Sequence, residues 1–335
     1  MKHILITGGA GFIGVNAAAY YLGKKEHVTI FDNFSRKGTE ANAQWLKKTY
    51  PSVEIVTGDI RNEAEVRSVV ANKEIIIHLA GQVAVTGSVL DPVTDFQINA
   101  WGTLNVLEAA RMQKSPPIVL YSSTNKVYGG LEHLAIEENE TRYLCPDRPQ
   151  GIDETELLDF HSPYGCSKGT ADQYVRDYSR MYGLPTVVFR QSCIYGPHQL
   201  GIEDQGWVAW FLIAAIKKQP ITIYGTGKQV RDILWIDDLI HAYDVSIEHI
   251  QKTKGVIYNM GGGIGNSISI WNEFGPIIAK LNGKTIDVER KAERPGDQPY
   301  FVANTKKIEK EIGWNPLVSA QDGIADLYKW LKHAG

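Results

Sequence analysis

Tyr164 and Lys168, in "YGCSK", stand four residues apart, so any helix that carries them presents both on one face. Tyrosine ordinarily titrates near pH ~10 and becomes a base at neutral pH only where positive charge stabilises its phenolate. Lys168 supplies one such charge, and an oxidised nicotinamide ring would supply a second. Thr124, in "SSTNKVYG", ends an apolar run, and its hydroxyl can bond the same substrate hydroxyl that Tyr164 deprotonates. Either feature alone has a plain structural reading, a surface helix pair or a turn after a strand. Together they make Thr124, Tyr164 and Lys168 the catalytic candidates, provided that a dinucleotide is bound nearby.

The first fourteen residues supply that condition. "TGGAGFIG" sets Gly8, Gly11 and Gly14 between a short apolar strand and a helical segment. Glycines in that context allow a tight turn, let the backbone approach a pyrophosphate and turn the helix N-terminus toward phosphate. Asp32 closes the next apolar run about 20 residues on, where a carboxylate can bind ribose hydroxyls and would repel a 2'-phosphate. NAD is thus favoured over NADP, with Arg36 and Lys37 as the opposing charges nearby. The cofactor candidates extend to Phe12 and Ile13 in the turn and to Asn33, Ser35 and Arg36 after Asp32. They continue with Asp59 and Ile60 in "GDI", Leu79, Ala80 and Gln82 in "LAGQ", Asn99, and Tyr164 and Lys168 themselves. For Asp59, a helix-capping role is the alternative.

The elements that must position these residues can be read from the pattern. Apolar runs at 3–7, 27–32, 53–59, 74–80, 117–123 and 185–190 alternate with helical spacing at 12–23, 39–50, 62–71, 93–113 and 163–182. Continuously apolar strands alternating with helices predict an α/β fold, a Rossmann-type doubly wound parallel sheet. The strand at 185–190 is expected to complete that sheet, giving an NAD-binding domain over 1–192. Beyond it the chain is rich in Gly and Pro loops, which predicts a smaller C-terminal α/β substrate lobe over 193–335. The polar stretch 130–160 reads as an insertion in the first domain, either a lid or a subunit contact.

The glycine turn, "SSTNKVYG", "YGCSK" and "YGTGKQVRD" resemble the extended short-chain dehydrogenase/reductase family of nucleotide-sugar enzymes over essentially the whole chain. Within that family, "FDNFSRKG", "HLAGQVAVT", "DFHSPYGCSKG" and "DQGWV" are similar to the enzymes that invert C2 of CDP-linked sugars. The resemblance implies tightly held NAD, oxidation at C2 and re-reduction from the opposite face, with a CDP-sugar as partner and a homodimer or homotetramer as assembly. It also implies that Arg231 and Arg294 grip the substrate phosphates. A diphosphate needs fixed donors, and the arginine fork suits it. Gln205, before an apolar helix, joins them as a substrate candidate, while Trp207 reads equally as core or as a base-stacking ring. The dehydratases of the family usually carry acidic residues after the strand-end threonine, because elimination of water needs a further acid and base. Asn125 and Lys126 stand there instead, which favours oxidation and reduction alone, with Asn125 expected to bond the sugar. Many relatives have Asn where this chain has Cys193, and a thiol cannot replace that phosphate contact. A UDP-sugar 4-epimerase would use the same residues on another hydroxyl. A dinucleotide sensor would need the glycine turn but not the Thr–Tyr–Lys set.

Bulk properties narrow the rest. The 335 residues are 43% hydrophobic, enough for a large core, and the formal charge of -3 offers no basic face for nucleic acid or an anionic membrane. Cys145, Cys166 and Cys193 are odd in number and widely spaced, so free thiols, a reducing cytoplasmic compartment and no metal site are expected. No apolar stretch is long enough to span a membrane.

Overall fold

The apolar runs of the N-terminal half become the strands of one sheet in the computed structural model, which describes residues 1–293 and 297–334. β1 (His3–Thr7), β2 (His27–Asp32), β3 (Glu54–Thr57), β4 (Ile75–His78), β5 (Ile118–Thr124), β6 (Thr186–Gln191) and β7 (Val256–Met260) lie in the order β7-β6-β5-β4-β1-β2-β3. β1 pairs in parallel with β2 and β4, β2 with β3, and β4 with β5. Ile4, Leu5, Ile6, Ile76 and Ile77 are fully buried, as strands covered on both faces require. The winding reverses between β1 and β4, and the carboxyl ends of the strands there are where such sheets bind ligands.

The helices are α1 (Phe12–Gly23), α2 (Thr39–Thr49), α3 (Glu63–Val70), α4 (Val85–Leu90), α5 (Pro92–Phe96), α6 (Gly102–Arg111) and α7 (Ser162–Tyr182). Local chemistry starts several of them. The Asn62 side chain accepts from the amides of Ala64 and Glu65 to begin α3, and Asp91 accepts from Thr94 with Pro92 in the first turn of α5. The single helix expected over 93–113 is instead α5, a π-helical turn over Gln97–Trp101 and α6. Periodicity could not show the wider turn, because it adds one residue without ending the helical run. The short α4 before it was not expected.

Two other expectations are corrected. The sheet does not end with 185–190, because β7 lies beyond β6 and covers an edge that would otherwise be bare. The chain also does not divide by a single cut at 192/193. One unit comprises Met1–Val127, Ser162–Arg190 and Ile240–Tyr258, and the other Tyr128–His161, Gln191–Leu239 and Asn259–Gly335. The stretch expected as an insertion of the first domain belongs to the second unit. Ile152 N–H donates to Val302 O at 2.7 Å, its carbonyl accepts from Asn304 N–H and the Asn259 amide at 2.8 Å each, and Tyr128 donates to Asn259 Oδ1 at 2.8 Å. Its backbone groups thus find partners more than a hundred residues away, which polarity and length alone do not reveal.

The second unit is built on the wholly buried strand Val230–Trp235, antiparallel to Ser267–Ser269 and parallel to Tyr300–Phe301 and Cys193–Tyr195. Its helix Trp207–Lys217 packs aromatic rings edge to face, with Trp207 5.0 Å from Phe274 and Phe211 5.6 Å from Trp271.

Helix α1 lies so close to the glycine turn that a Cβ on Gly14 would meet Gly8 O at 2.4 Å and Gly9 Cα at 2.6 Å. These are backbone atoms that cannot step aside. Gly14→Ala should therefore lower the unfolding free energy by about 1–3 kcal/mol, read by urea unfolding of the chain without cofactor.

Candidate active site

The glycine turn and β2 meet through one carboxylate. Gly8 has φ of +67°, and a Cβ there would lie 2.7 Å from Ala80 N, so the turn and the end of β4 touch through bare backbone. Asp32 Oδ2 accepts from Ala10 N–H at 3.0 Å and Oδ1 from Phe34 N–H at 2.9 Å. Burial raises the Asp32 carboxyl above its usual range, and these amides oppose that shift. Each oxygen keeps lone-pair capacity for a ribose hydroxyl. Gly11 caps α1 with no side chain over the first amides, and Phe12 and Ile13 begin the helix. A cradle lined by glycine backbone, with a carboxylate at the end of β2, fits a dinucleotide.

Other cofactor candidates have partners that define their geometry. Asn33 donates to Asp59 Oδ2 at 3.0 Å, and Arg61 grips both Asp59 oxygens at 2.9 and 2.7 Å, holding that carboxyl down to about 2. Ser35 and Arg36 are exposed, while Ile60 is buried. Asp59 N–H is held by Glu65, and its carbonyl accepts from Asn62, so Asp59 also shapes the entry to α3. Leu79 N–H donates to Thr7 O. Gln82 N–H donates to Asn99 Oδ1 at 2.9 Å, and Gln82 Oε1 is buried with no partner. An orphaned buried acceptor beside the turn suits a ligand that brings a donor.

Helix α7 carries Tyr164 and Lys168 on its inner face, as the spacing predicts, and the residue one step further is Asp172. Burial pushes Tyr164 up to about 12, Thr124 at the end of β5 opposes that shift, and Asp95 raises it further. Lys168 Nζ donates to Ser122 O and sits 4.3 Å from the centroid of the Tyr121 ring. Burial brings Lys168 down to about 7, against the pull of Asp172 and Asp95. A tyrosine held this high needs added positive charge before it can accept a proton. Thr124, Tyr164 and Lys168 are therefore together, with Asn125 buried next to Thr124 Oγ1 at 3.4 Å and the Lys126 amide bonded to that same oxygen at 3.2 Å.

Three buried ionisable groups around this centre escaped the sequence reading. His78 ends β4, with Nδ1 2.7 Å from Thr7 Oγ1 and Nε2 2.9 Å from Thr103 Oγ1. Thr103 donates its own proton to Asn99 O, so it accepts from Nε2–H and leaves Nδ1 as acceptor. Burial and Lys168 keep the ring neutral, down to about 3. Asp172 takes Arg190 at 2.9 Å on each oxygen and Ser123 at 2.7 Å, tying the catalytic helix to β5 and β6. Asp95 is the third. Asp172 had a local signal, a further four-residue step along the helix face; His78 is joined to residues 25 or more positions away, and Asp95 reaches Ser167, 72 positions on, as well as Asn99 one turn along.

In the second unit, Arg231 is buried, and its guanidinium donates to Asp297 Oδ1 and to Val230 O, both at 2.7 Å. The Gln205 backbone exchanges hydrogen bonds with Ile202. Arg294 lies outside the described residues. Trp207 Nε1 donates to Cys193 Sγ at 3.3 Å, which seats the indole in the aromatic core and gives the thiol a structural contact. All three cysteines are free thiols.

Comparison with known proteins agrees with this geometry. The model of the GDP-mannose 4,6 dehydratase family matches residues 5–327. A CDP-paratose 2-epimerase of Salmonella typhi is 47% identical over 336 residues, covering 98% of each chain. The UDP-glucose 4-epimerase of Thermus thermophilus, solved in complex with NAD, superposes with a TM-score of 0.82 at 29% identity, over 99% of this chain and all of the other. A dTDP-glucose 4,6-dehydratase of Streptomyces venezuelae with NAD bound gives 0.83 at 26% identity, over 99% and 97%.

Replacing Asp172 by Ala strands the buried Arg190 guanidinium, and unfolding should become easier by about 3–5 kcal/mol. The double variant Asp172→Ala/Arg190→Met should recover part of that loss in the same urea titration, since no charge is then left unpaired.

Proposed function

The chain belongs to the GDP-mannose 4,6-dehydratase family, among the extended short-chain dehydrogenases/reductases, and from that premise we propose a nucleotide-sugar 2-epimerase acting on CDP-paratose and CDP-tyvelose, with CDP-glucose as a further substrate. The observation that carries this reading is the 47% identity to a CDP-paratose 2-epimerase along the whole chain. The protein is an isomerase, and its cofactor is NAD. Bound NAD would supply the hydride acceptor for C2 and the donor for its return to the opposite face, so that no external oxidant or reductant would be consumed.

The chain's own residues manage the proton and the pose. In the proposed mechanism Tyr164 accepts the C2 hydroxyl proton as the hydride leaves, and gives it back on reduction. Lys168 and the positive ring of the oxidised cofactor lower the cost of the phenolate, which burial alone sets high. Thr124 bonds the reacting oxygen, and Asn125 bonds the sugar. Gly8, Gly11, Phe12, Ile13 and Gly14 face the pyrophosphate, while Asp32, Asn33 and Asp59 with their neighbours hold the adenosine half. Gln205, Arg231 and Arg294 are the proposed diphosphate ligands. Asn125 and Lys126 provide no carboxylate pair, so water elimination has no acid and base beyond Tyr164.

For the setting, no helix among the described residues is long and apolar enough to cross a membrane. The free thiols support a cytoplasmic location. A homo-oligomer is proposed, and exposed apolar side chains on neighbouring short helices support it, with Leu90, Val93, Phe96 and Trp101 at least 46% exposed.

NMR of the holoenzyme with CDP-paratose, CDP-glucose, UDP-glucose and UDP-galactose tests the reaction. Inversion at C2 of a CDP-sugar is expected; inversion at C4 of a UDP-sugar would replace this reading with a 4-epimerase using the same three residues. Tyr164→Phe should retain NAD and lose at least about a hundredfold in turnover. The assembly has its own check: Phe96→Glu with Trp101→Glu should reduce the mass seen by light scattering to that of a single chain.

A further inference from the structure

Asp95 is completely buried (0% exposed) on α5, and neither the glycine turn nor the Tyr–Lys pair accounts for it. An isolated carboxylate in such a place is costly unless donors converge on it. Two do. The Ser167 hydroxyl donates to Oδ2, and Asn99 Nδ2 donates to Oδ1 at 3.1 Å. The second Asn99 N–H goes to Ser167 Oγ at 3.0 Å, and its carbonyl receives the Gln82 amide at 2.9 Å. Burial raises the Asp95 carboxyl, the Ser167 bond and Lys168 oppose that shift, and one donor on each oxygen suits the ionised form. The bonds reach both sides of the site, since Ser167 precedes Lys168 on the catalytic helix and Gln82 ends the loop after β4.

The charge has a second consequence. The titratable groups facing Lys168 are Asp172 on its own helix, Asp95 on α5, His78 on β4 and Tyr121 on β5, with Tyr164 one turn earlier on the same helix face. His78 is neutral, and Tyr121 is pushed well above its ordinary value by burial. Asp172 raises Lys168 more than Asp95 does, but it also faces the two-pronged Arg190, which offsets part of its charge. Asp95 has hydrogen-bond donors but no ion-pair partner among the described residues. We propose that Asp95 is a positioning residue, whose ionised carboxylate fixes Asn99 and Ser167 and serves as the uncancelled counter-charge that keeps Lys168 positive beside Tyr164. The proposal rests on the catalytic reading of Tyr164 and Lys168.

The direction of the effect follows from the sign of the charge. A negative group favours the protonated forms of both Lys168 and Tyr164, and both carry that contribution from Asp95. Its removal must move both titrations to lower pH. A merely structural lesion lowers activity at every pH and moves neither. In Asp95→Asn the amide oxygen can still accept from Asn99, while the Ser167 hydroxyl can turn to Tyr164 O, 3.2 Å away. Shape is kept and charge is lost.

The experiment compares NAD-loaded wild type with Asp95→Asn in two readouts. In the first, the pH profile of kcat for C2 inversion should shift so that both limbs lie at lower pH. Turnover on the alkaline side should fall by about tenfold for a displacement of one pH unit, with KM little changed. In the second, without substrate, the Lys168 13Cε resonance, assigned by its loss in Lys168→Met, should titrate at lower pH than in wild type. If Asp95→Asn does not fold, Asp95→Ser removes the charge while keeping an acceptor for Asn99, and the same shift is expected. An unmoved Lys168 titration, or limbs in their wild-type places, overturns the proposal. A shifted Lys168 titration in a protein that inverts no sugar at C2 upholds it and defeats the substrate reading instead.

Discussion

One buried ammonium sets the terms for the first unit. Lys168 lies on the inner face of α7, out of water, where a lysine ordinarily gives up its proton. The surroundings answer with a backbone carbonyl, the face of Tyr121 and two carboxylates reached from different elements. Tyr164 meets the opposite problem, because the same burial disfavours its phenolate. The helix that carries both is tied to β5 and β6 through Asp172 and to the π-helical turn through Ser167.

The dinucleotide cradle follows a different logic, based on absence of side chains. Gly8 and Gly14 bring three backbone segments into contact, and Asp32 spans the turn and β2 with its two oxygens. The carboxylate thus has a structural task before any ribose arrives. A polar spine continues inward from the turn, from Thr7 through His78 and Thr103 to Asn99, and ends at Ser167. Every donor in it has an acceptor, which fixes the tautomer of His78 and the amide orientation of Asn99. The end of β1 before the glycine turn and helix α7 are parts of one hydrogen-bonded system.

In the proposed reaction, oxidation and reduction at one carbon need a single proton carrier, whereas elimination needs another acid and base, and the residues after Thr124 are Asn125 and Lys126. The second unit contributes differently. There Arg231 is already paired with Asp297, and Cys193 is bonded by the Trp207 indole. The tryptophan that read equally as core or as a base-stacking ring is packed among Phe211 and Phe274.

Much of this was legible in the sequence, because it depends on short-range spacing. The strand–glycine–helix opening, the carboxylate ending β2, the Tyr–Lys step on one helix face and four of the crossover helices are patterns within a few residues or a few turns. The division of the chain was not legible. Ile152 finds its partners across more than a hundred positions and β7 pairs with β6 across about seventy, and no local pattern records such pairings. The same holds for Asp95 and His78, each an unremarked residue in its own segment. By itself the sequence determined which groups could do the chemistry and which backbone could hold a dinucleotide, since residue type and periodicity fix those locally. Only the tertiary structure decided which charges face one another out of water, because desolvation and counter-charge are properties of neighbours in space rather than neighbours in the chain.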